Sequence, residues 1–221
     1  MKWFTYIKYF YFLLDNWDFK IAWYMIKQEI SGERKYGINT TGEDDLMNLE
    51  QMGVDTSHAA IYMPVSFNLL EDIFKQLPAK PRNHFVDLGS GKGRALCMAA
   101  HHQFGRVTGI EFSKELCEIA KLNLAKTKQQ IPGFDFSIIN NDAFYTEIPD
   151  DADCLFLFNP FDDIIMSAVV NNIFDSLQNN PRKISIIYVN PVHKEQFLKA
   201  GYTQAWYNKK LKYIEAVILE N

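Results

Sequence analysis

Five short apolar segments, separated by helical or polar stretches, constrain the fold of this 221-residue chain more than any other feature. Each is rich in β-branched or aromatic residues and lacks the polar alternation of a half-exposed strand, which is typical of strands buried on both faces. Strands of this kind that alternate with helices predict an α/β fold with a parallel, doubly wound sheet. The predicted strands cover residues 85–88, 107–111, 134–140, 154–158 and 184–189.

The segments between and after these strands complete the prediction. Apolar residues recur with i, i+3, i+4, i+7 spacing over 163–177, and Ser113 is in position to cap a helix over 114–126. Two more strands, 203–208 and 213–219, are separated by only a few residues, which predicts an antiparallel hairpin. We therefore expect a mostly parallel seven-stranded sheet with an antiparallel C-terminal hairpin. Further helices are predicted over 67–77, 94–102 and 194–200.

Residues 1–30 are crowded with aromatic side chains. A membrane-spanning helix needs about 20 largely apolar residues, whereas Lys8, Asp15, Asp18 and Lys20 interrupt this segment. It also lacks the uninterrupted apolar region and cleavage site of a signal peptide. Three interpretations stay open: helices that cover the core or a substrate channel, a surface that faces a partner, or a helix that lies in a membrane interface.

The polar segment 32–60 contains four glycines and shows no sustained hydrophobic period. We interpret it as an ordered loop, with residues 36–42 as a possible lid that excludes water from a site. Residues 1–60 are accordingly expected to form a helical aromatic extension with a lid loop. Residues 61–221 are expected to form the α/β domain.

Composition gives no support to several classes of protein. The formal net charge is −4 and the pI is about 5.7, so no broad basic surface is available for nucleic acid. Cys97, Cys117 and Cys154 lie among apolar residues without CxxC spacing, and the histidines form no metal-binding pattern. We therefore expect no metal, no disulfide, and buried thiols in a reducing cytoplasm. The sequence gives no indication of the oligomeric state.

Three glycines at alternate positions, Gly89, Gly91 and Gly93, follow the first predicted strand. Glycine adopts positive φ angles readily and lets a ligand approach the backbone closely. In doubly wound sheets, ligands bind beyond the carboxyl ends of the strands. The glycines therefore predict a ligand site there, although they could also simply form a tight turn.

The residues around these glycines discriminate among three ligands. A triphosphate loop would place a hydroxyl residue after Lys92, where this chain has Gly93. A dinucleotide loop would have its third glycine one residue later, and Asp87 would face the pyrophosphate unfavourably. S-adenosylmethionine has a cationic ammonium and a sulfonium but no phosphate, so an acidic loop suits it. We then expect Lys92 to point to solvent.

The stretch Val-Asp-Leu-Gly-Ser-Gly-Lys-Gly at 86–93 resembles the first motif of the class I S-adenosylmethionine-dependent methyltransferases, which have a Rossmann-like fold. The resemblance covers roughly residue 85 to the end of the chain. It implies that Glu111 binds the ribose hydroxyls and that Asp142 and Ala143 bind the adenine. The cofactor-binding residues that it implies are Asp87, Gly89, Ser90, Gly91, Gly93, Glu111, Phe112, Asp142, Ala143 and Asn159.

The resemblance also indicates where the methyl acceptor binds. Asn159, Pro160 and Phe161 follow the fourth strand and resemble the loop that holds the substrate amine in amino methyltransferases, although they include one proline fewer. The same residues could simply start the next helix. Tyr62 belongs to an aromatic-x-Pro entry that in several branches of the family lies over the methionine end of the cofactor. The expected catalytic residues are therefore Asn159, Pro160, Phe161 and Tyr62. A second Asn-Pro pair, at residues 190–191, could flank the same site.

The sequence as a whole predicts an S-adenosylmethionine-dependent methyltransferase. An amine of a protein side chain or small molecule is favoured over an oxygen as the acceptor. Two other functions stay open: a non-catalytic module that binds S-adenosylmethionine or a partner, and an NAD-dependent oxidoreductase.

Overall fold

The computed structural model describes residues 2–42, 64–77, 82–158, 163–210 and 214–221. Among these residues three helices come first, and alternating strands and helices follow. Helices α1 to α3 are Lys2–Asn16, Phe19–Tyr36 and Phe67–Gln76. The next elements are β1 (His84–Leu88), α4 (Arg94–His101), β2 (Arg106–Glu111), α5 (Lys114–Gln130), β3 (Asp135–Asn140), a 3-10 helix (Ala143–Tyr145) and β4 (Cys154–Phe158). The last are α6 (Asp163–Asn179), β5 (Ser185–Val189), α7 (Lys194–Lys199), β6 (Thr203–Lys210) and β7 (Ile214–Glu220).

The strands form one seven-stranded sheet in the order β3-β2-β1-β4-β5-β7-β6. Strands β1 to β5 are parallel, and β7 pairs antiparallel with both β5 and β6. The predicted sheet and hairpin are thus confirmed. The strand order reverses between β1 and β4, so their carboxyl ends flank the crevice where such sheets bind ligands.

Apolar side chains cover both faces of the central strands. The expected burial on both faces is wrong for β3, which lies at the edge of the sheet and is largely exposed. Phe85 and Phe156 belong to the cluster on one face, whereas Val86 and Leu155 belong to the cluster on the other. This alternation follows from the two-residue period of a strand. Each fully buried side chain of this kind contributes roughly 1.5–3 kcal/mol, so the central strands form a rigid base for the loops at their ends.

Helices α1 and α2 pack together as a pair with an apolar cluster of their own, and Asp18 caps the start of α2. The carboxylate of Asp18 accepts a hydrogen bond of 2.8 Å from the backbone N–H of Ile21. Within the described residues, no helix is long and apolar enough to cross a membrane. The members of the cluster are Tyr6, Tyr9, Leu13, Ile21, Ala22, Met25 and Ile26.

Two helices, α2 and α5, extend further than the sequence predicts. The predicted loop start at residue 32 is wrong, because α2 continues through Gly32 to Tyr36 and ends at Gly37, whose φ is 68°. The glycine is kept inside the helix by packing, since a Cβ there would lie 2.2 Å from Cγ of Phe67. The helix after Ser113 is longer than predicted, but its cap is confirmed by a 3.3 Å hydrogen bond from the N–H of Leu116.

Candidate cofactor-binding site

The glycine loop between β1 and α4 has the backbone that the sequence predicts. Gly89, Gly91 and Gly93 have φ angles of 84°, 52° and 81°, which favour glycine at all three positions. At Gly93 a Cβ would also lie only 3.1 Å from Cβ of Ala120 on α5. A side chain at these positions would therefore strain the turn, and the lack of one lets a ligand approach the backbone closely.

Glu111, at the end of β2, connects this loop to the neighbouring strand. Its carboxylate accepts hydrogen bonds of 2.7 Å from the N–H of Gly91 and 2.8 Å from the N–H of Ser113. The N–H groups of Gly89 and Ser90 donate to the carbonyl of the residue before Glu111, at 2.9 and 3.0 Å. The carboxylate is only 9% exposed, so it is fixed at the mouth of the loop.

Asp87, near the end of β1, is a buried acid with a perturbed pKa. Burial is the main cause that raises the pKa of its carboxyl well above the usual value, and the negative charge of Glu111 raises it further. In the described part of the chain, no donor or cation is paired with this carboxylate. A cationic ligand beside Asp87 would offset the burial of the charged carboxylate and its repulsion by Glu111. A phosphate would add a further negative charge and increase the repulsion.

The hydroxyl of Ser90 is a second buried polar group of the site, after the carboxylate of Asp87. It makes no hydrogen bond within the described ranges. The space around it depends on Gly109 in β2, where a Cβ would lie 2.6 Å from Oγ of Ser90 and 2.6 Å from Cδ1 of Leu96. The sequence reasoning did not single out Gly109, although a glycine inside a strand is a known signal of close approach.

The end of β3 brings the predicted adenine residues to the same edge of the sheet. Asp142 caps the 3-10 helix by accepting a 2.8 Å hydrogen bond from the N–H of Phe144. The side-chain amide of Asn140 donates to the carbonyls of Glu111 and Phe112, at 2.9 and 2.6 Å, and so ties the ends of β2 and β3 together. The predicted residues Phe112, Asp142 and Ala143 therefore follow adjacent strands beside the glycine loop.

The predicted acceptor residues Asn159, Pro160, Phe161 and Tyr62 lie outside the described residues. Their roles stay predictions. Phe158 is the last residue of β4, and Leu157 pairs with Leu88 in the neighbouring β1. Asn159 thus follows a strand that ends directly beside the start of the glycine loop.

Lys92 was expected to point to solvent, and this prediction is wrong, since the residue is only 9% exposed. The segment 37–42, which follows α2, lies against the glycine loop. The side chain of Asn123 on α5 accepts from the N–H of Asn39 at 3.0 Å and donates to the carbonyls of Asn39 and Lys92, at 3.0 and 2.9 Å. A Cβ at Gly42 would lie 3.9 Å from the Lys92 ammonium. The segment therefore covers one side of the loop.

A buried ion pair anchors this covering segment. Arg94, the first residue of α4, pairs with Glu29 of α2, and both are almost completely buried. The guanidinium also donates to the hydroxyl of Thr40 at 2.8 Å and to the carbonyl of Val65 at 2.7 Å, and its centre lies 4.0 Å from the ring centroid of Phe67. The helix that starts at the glycine loop is thus bound directly to the N-terminal helices.

Glu33, one turn after Glu29, holds the backbone of the same segment. Its carboxylate accepts from the N–H groups of Thr40 and Thr41 at 2.6 and 2.7 Å, and from the hydroxyl of Tyr6 at 2.6 Å. Burial opposes ionisation of Glu33, but these hydrogen bonds outweigh it and lower its pKa. Glu29 and Glu33 were not predicted from the sequence. The available signal was their i, i+4 spacing on the same face of the helix as its buried apolar residues.

The sheet order, the glycine loop and the acids at the ends of β1, β2 and β3 define the class I S-adenosylmethionine-dependent methyltransferase fold, as the sequence predicted. Solved structures agree. A putative methyltransferase from Escherichia coli is 16% identical with a TM-score of 0.55, covering 72% of this chain and 88% of that one. A methyltransferase from Leishmania major is 12% identical with a TM-score of 0.51, covering 70% and 73%. An O-methyltransferase from neocarzinostatin biosynthesis, solved with S-adenosylmethionine, is 13% identical with a TM-score of 0.52, covering 67% and 52%. At these identities the likeness concerns the fold.

The sequence pattern of the family "Histone methylation protein DOT1" matches residues 54–200, which is more than half of the chain. The chain therefore belongs to this family. A search of curated proteins found no match. Family membership and fold together confirm the prediction of S-adenosylmethionine as the cofactor. The buried Asp87 carboxylate and the Ser90 hydroxyl, neither of which has a protein partner among the described residues, fit the cationic and polar groups of that cofactor.

Replacement of Glu111 by Ala is expected to weaken binding of S-adenosylhomocysteine by about tenfold to a hundredfold, because hydrogen bonds to a charged group contribute roughly 1.5–3 kcal/mol. Isothermal titration calorimetry measures this loss. The matched control is Glu115→Ala, which removes an exposed carboxylate from the first turn of α5 and should leave the affinity unchanged. A Glu111→Ala protein that folds and binds like wild type would contradict the predicted ribose contact.

Proposed function

We propose that the chain is an S-adenosylmethionine-dependent methyltransferase that methylates an amine nitrogen, with a protein side chain favoured over a small molecule. The observation that carries the cofactor half of this proposal is the buried carboxylate of Asp87 beside the glycine loop, which has no partner among the described residues. The acceptor half is supported by the family description, which names histone methylation, and by the sequence position of Asn159 directly after β4, a strand that ends at the same edge of the sheet as β1.

Each residue of the cofactor site has a definite task in this proposal. Asp87 binds the ammonium of the methionine end, and the glycine loop admits that end close to its backbone. Glu111 accepts hydrogen bonds from the ribose hydroxyls. Asp142 accepts one from the adenine amine, while the N–H of Ala143 donates to the adenine ring. When bound, S-adenosylmethionine supplies an electrophilic methyl group on a positively charged sulfur.

The acceptor side has to orient a neutral amine and exclude water. We propose that the side-chain oxygen of Asn159 accepts a hydrogen bond from the amine and so directs its lone pair towards the methyl group. Pro160, Phe161 and Tyr62 would form the apolar walls. The low polarity of such walls disfavours a charged ammonium, which keeps the amine in the nucleophilic neutral form.

The test is methyl transfer from radiolabelled S-adenosylmethionine into separated protein and small-molecule fractions of a cell extract and into purified histones. We expect label in protein, recovered as methyl-lysine after acid hydrolysis, and a loss of at least about a hundredfold with Asn159→Ala. The control, Asn171→Ala, removes an exposed amide on α6, away from the cofactor site. Label confined to small molecules would overturn the protein acceptor. Tight cofactor binding without any transfer would favour a non-catalytic module.

We further propose a cytoplasmic location for the chain. Its three cysteines are free and buried, and burial raises the pKa of each thiol, to about 12 at Cys97 and to about 11 at Cys117. Buried free thiols suit a reducing compartment. The division of the chain near residue 60 stays a prediction, and the oligomeric state is left open.

A further inference from the structure

Helices α1 and α2 expose an unusual number of aromatic side chains. We call this surface the aromatic face; it comprises Trp3, Phe4, Ile7, Tyr11, Phe19 and Trp23, which are 48–75% exposed. Scattered single apolar residues are normal on a protein surface, but a continuous patch marks an interaction site. The opposite side of α1 already packs into the apolar cluster of the helical pair. The aromatic face is therefore left over after the fold has formed its core.

The aromatic face is continuous across the two helices. On α1, the residues at 4, 7 and 11 follow i, i+3, i+7 spacing and so lie on one side of the helix. Phe10 contacts both Tyr11 and Phe19, with ring centroids 6.1 and 6.2 Å apart. Phe19 stacks in turn on Trp23 at 6.2 Å. Side chains from both helices thus form one surface.

Cations border the aromatic face on α2. The ammonium of Lys27 lies 4.9 Å from the ring centroid of Trp23. Lys27, Arg34 and Lys35, with Ile30 and Ser31, line an open cleft of about 350 Å³. The acids of α2 that lie among these cations in sequence, Glu29 and Glu33, are buried, and Glu29 pairs with Arg94. Lys35 pairs with Glu71 of α3. The exposed acids of the helical pair, Asp15 and Asp18, lie at the turn between the helices, whereas the cleft begins more than two helical turns further along α2. The local charge beside the aromatic face is therefore positive, although the whole chain is acidic.

We propose that the aromatic face binds the surface of an anionic phospholipid membrane. Trp, Phe and Tyr side chains enter the boundary between headgroups and acyl chains, while Lys27 and Arg34 contact the negative headgroups. A second copy of the chain fits less well, because its identical face carries the same exposed cations and offers them no excess of negative charge. Binding in the interface also agrees with the absence of a membrane-spanning helix in the described residues. This inference does not rest on the proposed function.

The experiment is cosedimentation of the full chain with sucrose-loaded vesicles, without cofactor. The vesicles consist of phosphatidylcholine alone or of phosphatidylcholine mixed with phosphatidylserine. We expect binding to the anionic vesicles that weakens as salt is raised, and little binding to the neutral ones. Tryptophan emission should shift to shorter wavelength on the anionic vesicles, because Trp3 and Trp23 would leave water.

Two pairs of matched variants test the aromatic face and the cations beside it separately. Phe4→Ser/Tyr11→Ser should reduce the partition coefficient by about tenfold or more, whereas Leu122→Ser/Phe174→Ser, which replaces residues of similar exposure on α5 and α6, should not. Lys27→Glu/Arg34→Glu should reduce it by about twentyfold or more, at about fivefold per cation. The control with the same change of charge at exposed sites is Lys126→Glu/Lys199→Glu.

Several results would overturn the inference. These are no sedimentation with anionic vesicles, equal binding to both vesicle types, or wild-type binding by Phe4→Ser/Tyr11→Ser. Light scattering that shows a dimer dissociated by those two substitutions, without vesicle binding, would assign the aromatic face to a second copy instead. Binding to polyglutamate but not to vesicles would assign it to an acidic protein.

Discussion

Replacement of Asp87 by Asn is expected to abolish measurable binding of S-adenosylmethionine and, at neutral pH, to stabilise the unliganded protein. Binding is lost because the neutral amide cannot pair with the cofactor's ammonium. The gain in stability arises because the folded protein buries this carboxylate next to Glu111, with no partner in the part of the chain that the structure describes. Each kcal/mol recovered would raise Tm by about 2–4 °C for a chain of this size.

The pH dependence of this stabilisation follows from the direction of the pKa shift. The pKa of Asp87 is raised in the folded state, so between the unfolded value of about 3.9 and the folded value the native protein binds more protons than the unfolded chain. Stability of the wild type therefore falls as pH rises through that window. The Tm difference between Asp87→Asn and wild type should be smallest near pH 4 and grow towards neutral pH.

Calorimetry with S-adenosylhomocysteine and thermal unfolding at several pH values measure both effects. Asp175→Asn, which neutralises an exposed acid on α6, serves as the control and should change neither quantity. A variant at Asp87 that lowers Tm at every pH, or that binds the cofactor product normally, would refute the role assigned to the buried carboxylate.

Replacement of Arg94 by Ala is expected to lower the free energy of unfolding by about 3–5 kcal/mol, because it leaves the Glu29 carboxylate buried without its cation. The hydrogen bonds to Thr40 and Val65 are lost as well. Urea denaturation measures the change. Since Thr40 belongs to the segment that covers the glycine loop, cofactor affinity should also fall.

Two further variants separate charge from packing. Glu29→Gln/Arg94→Met removes both charges and should be more stable than Arg94→Ala alone. Lys121→Ala breaks an exposed pair with Glu118 on α5, 2.7 Å apart, and should cost less than about 1 kcal/mol. An Arg94→Ala protein within about 1 kcal/mol of wild type would show that the buried pair does not hold the N-terminal helices to α4.

The sheet and the cofactor loop could be predicted because their signals are local. A strand buried on both faces, as at 154–158, is a short apolar run in the sequence, and recognising it requires no other part of the chain. The positive φ angles of the loop could be predicted from its three glycines, because glycine adopts such angles readily. Acids that follow successive parallel strands must meet at one edge, which is why Asp87, Glu111 and Asp142 could be placed together.

The N-terminal half of the site could not be predicted because it depends on long-range pairs. Arg94 and Glu29 are 65 residues apart in sequence, and no local spacing indicates that they meet. The burial of Lys92 follows from a segment near residue 40 that packs over it. Likewise, the helix continues through Gly32 because of the ring of Phe67, which belongs to another helix.

The position of β7 has a consequence for how the protein is made. β6 is synthesised first, yet β7 separates it from the rest of the sheet. Until β7 leaves the ribosome, β6 has no strand to pair with and the edge of β5 stays open. An open edge in a nascent chain is a site for unwanted pairing. The five parallel strands can therefore assemble during translation, and pairing of the hairpin with β5 completes the sheet as the last step.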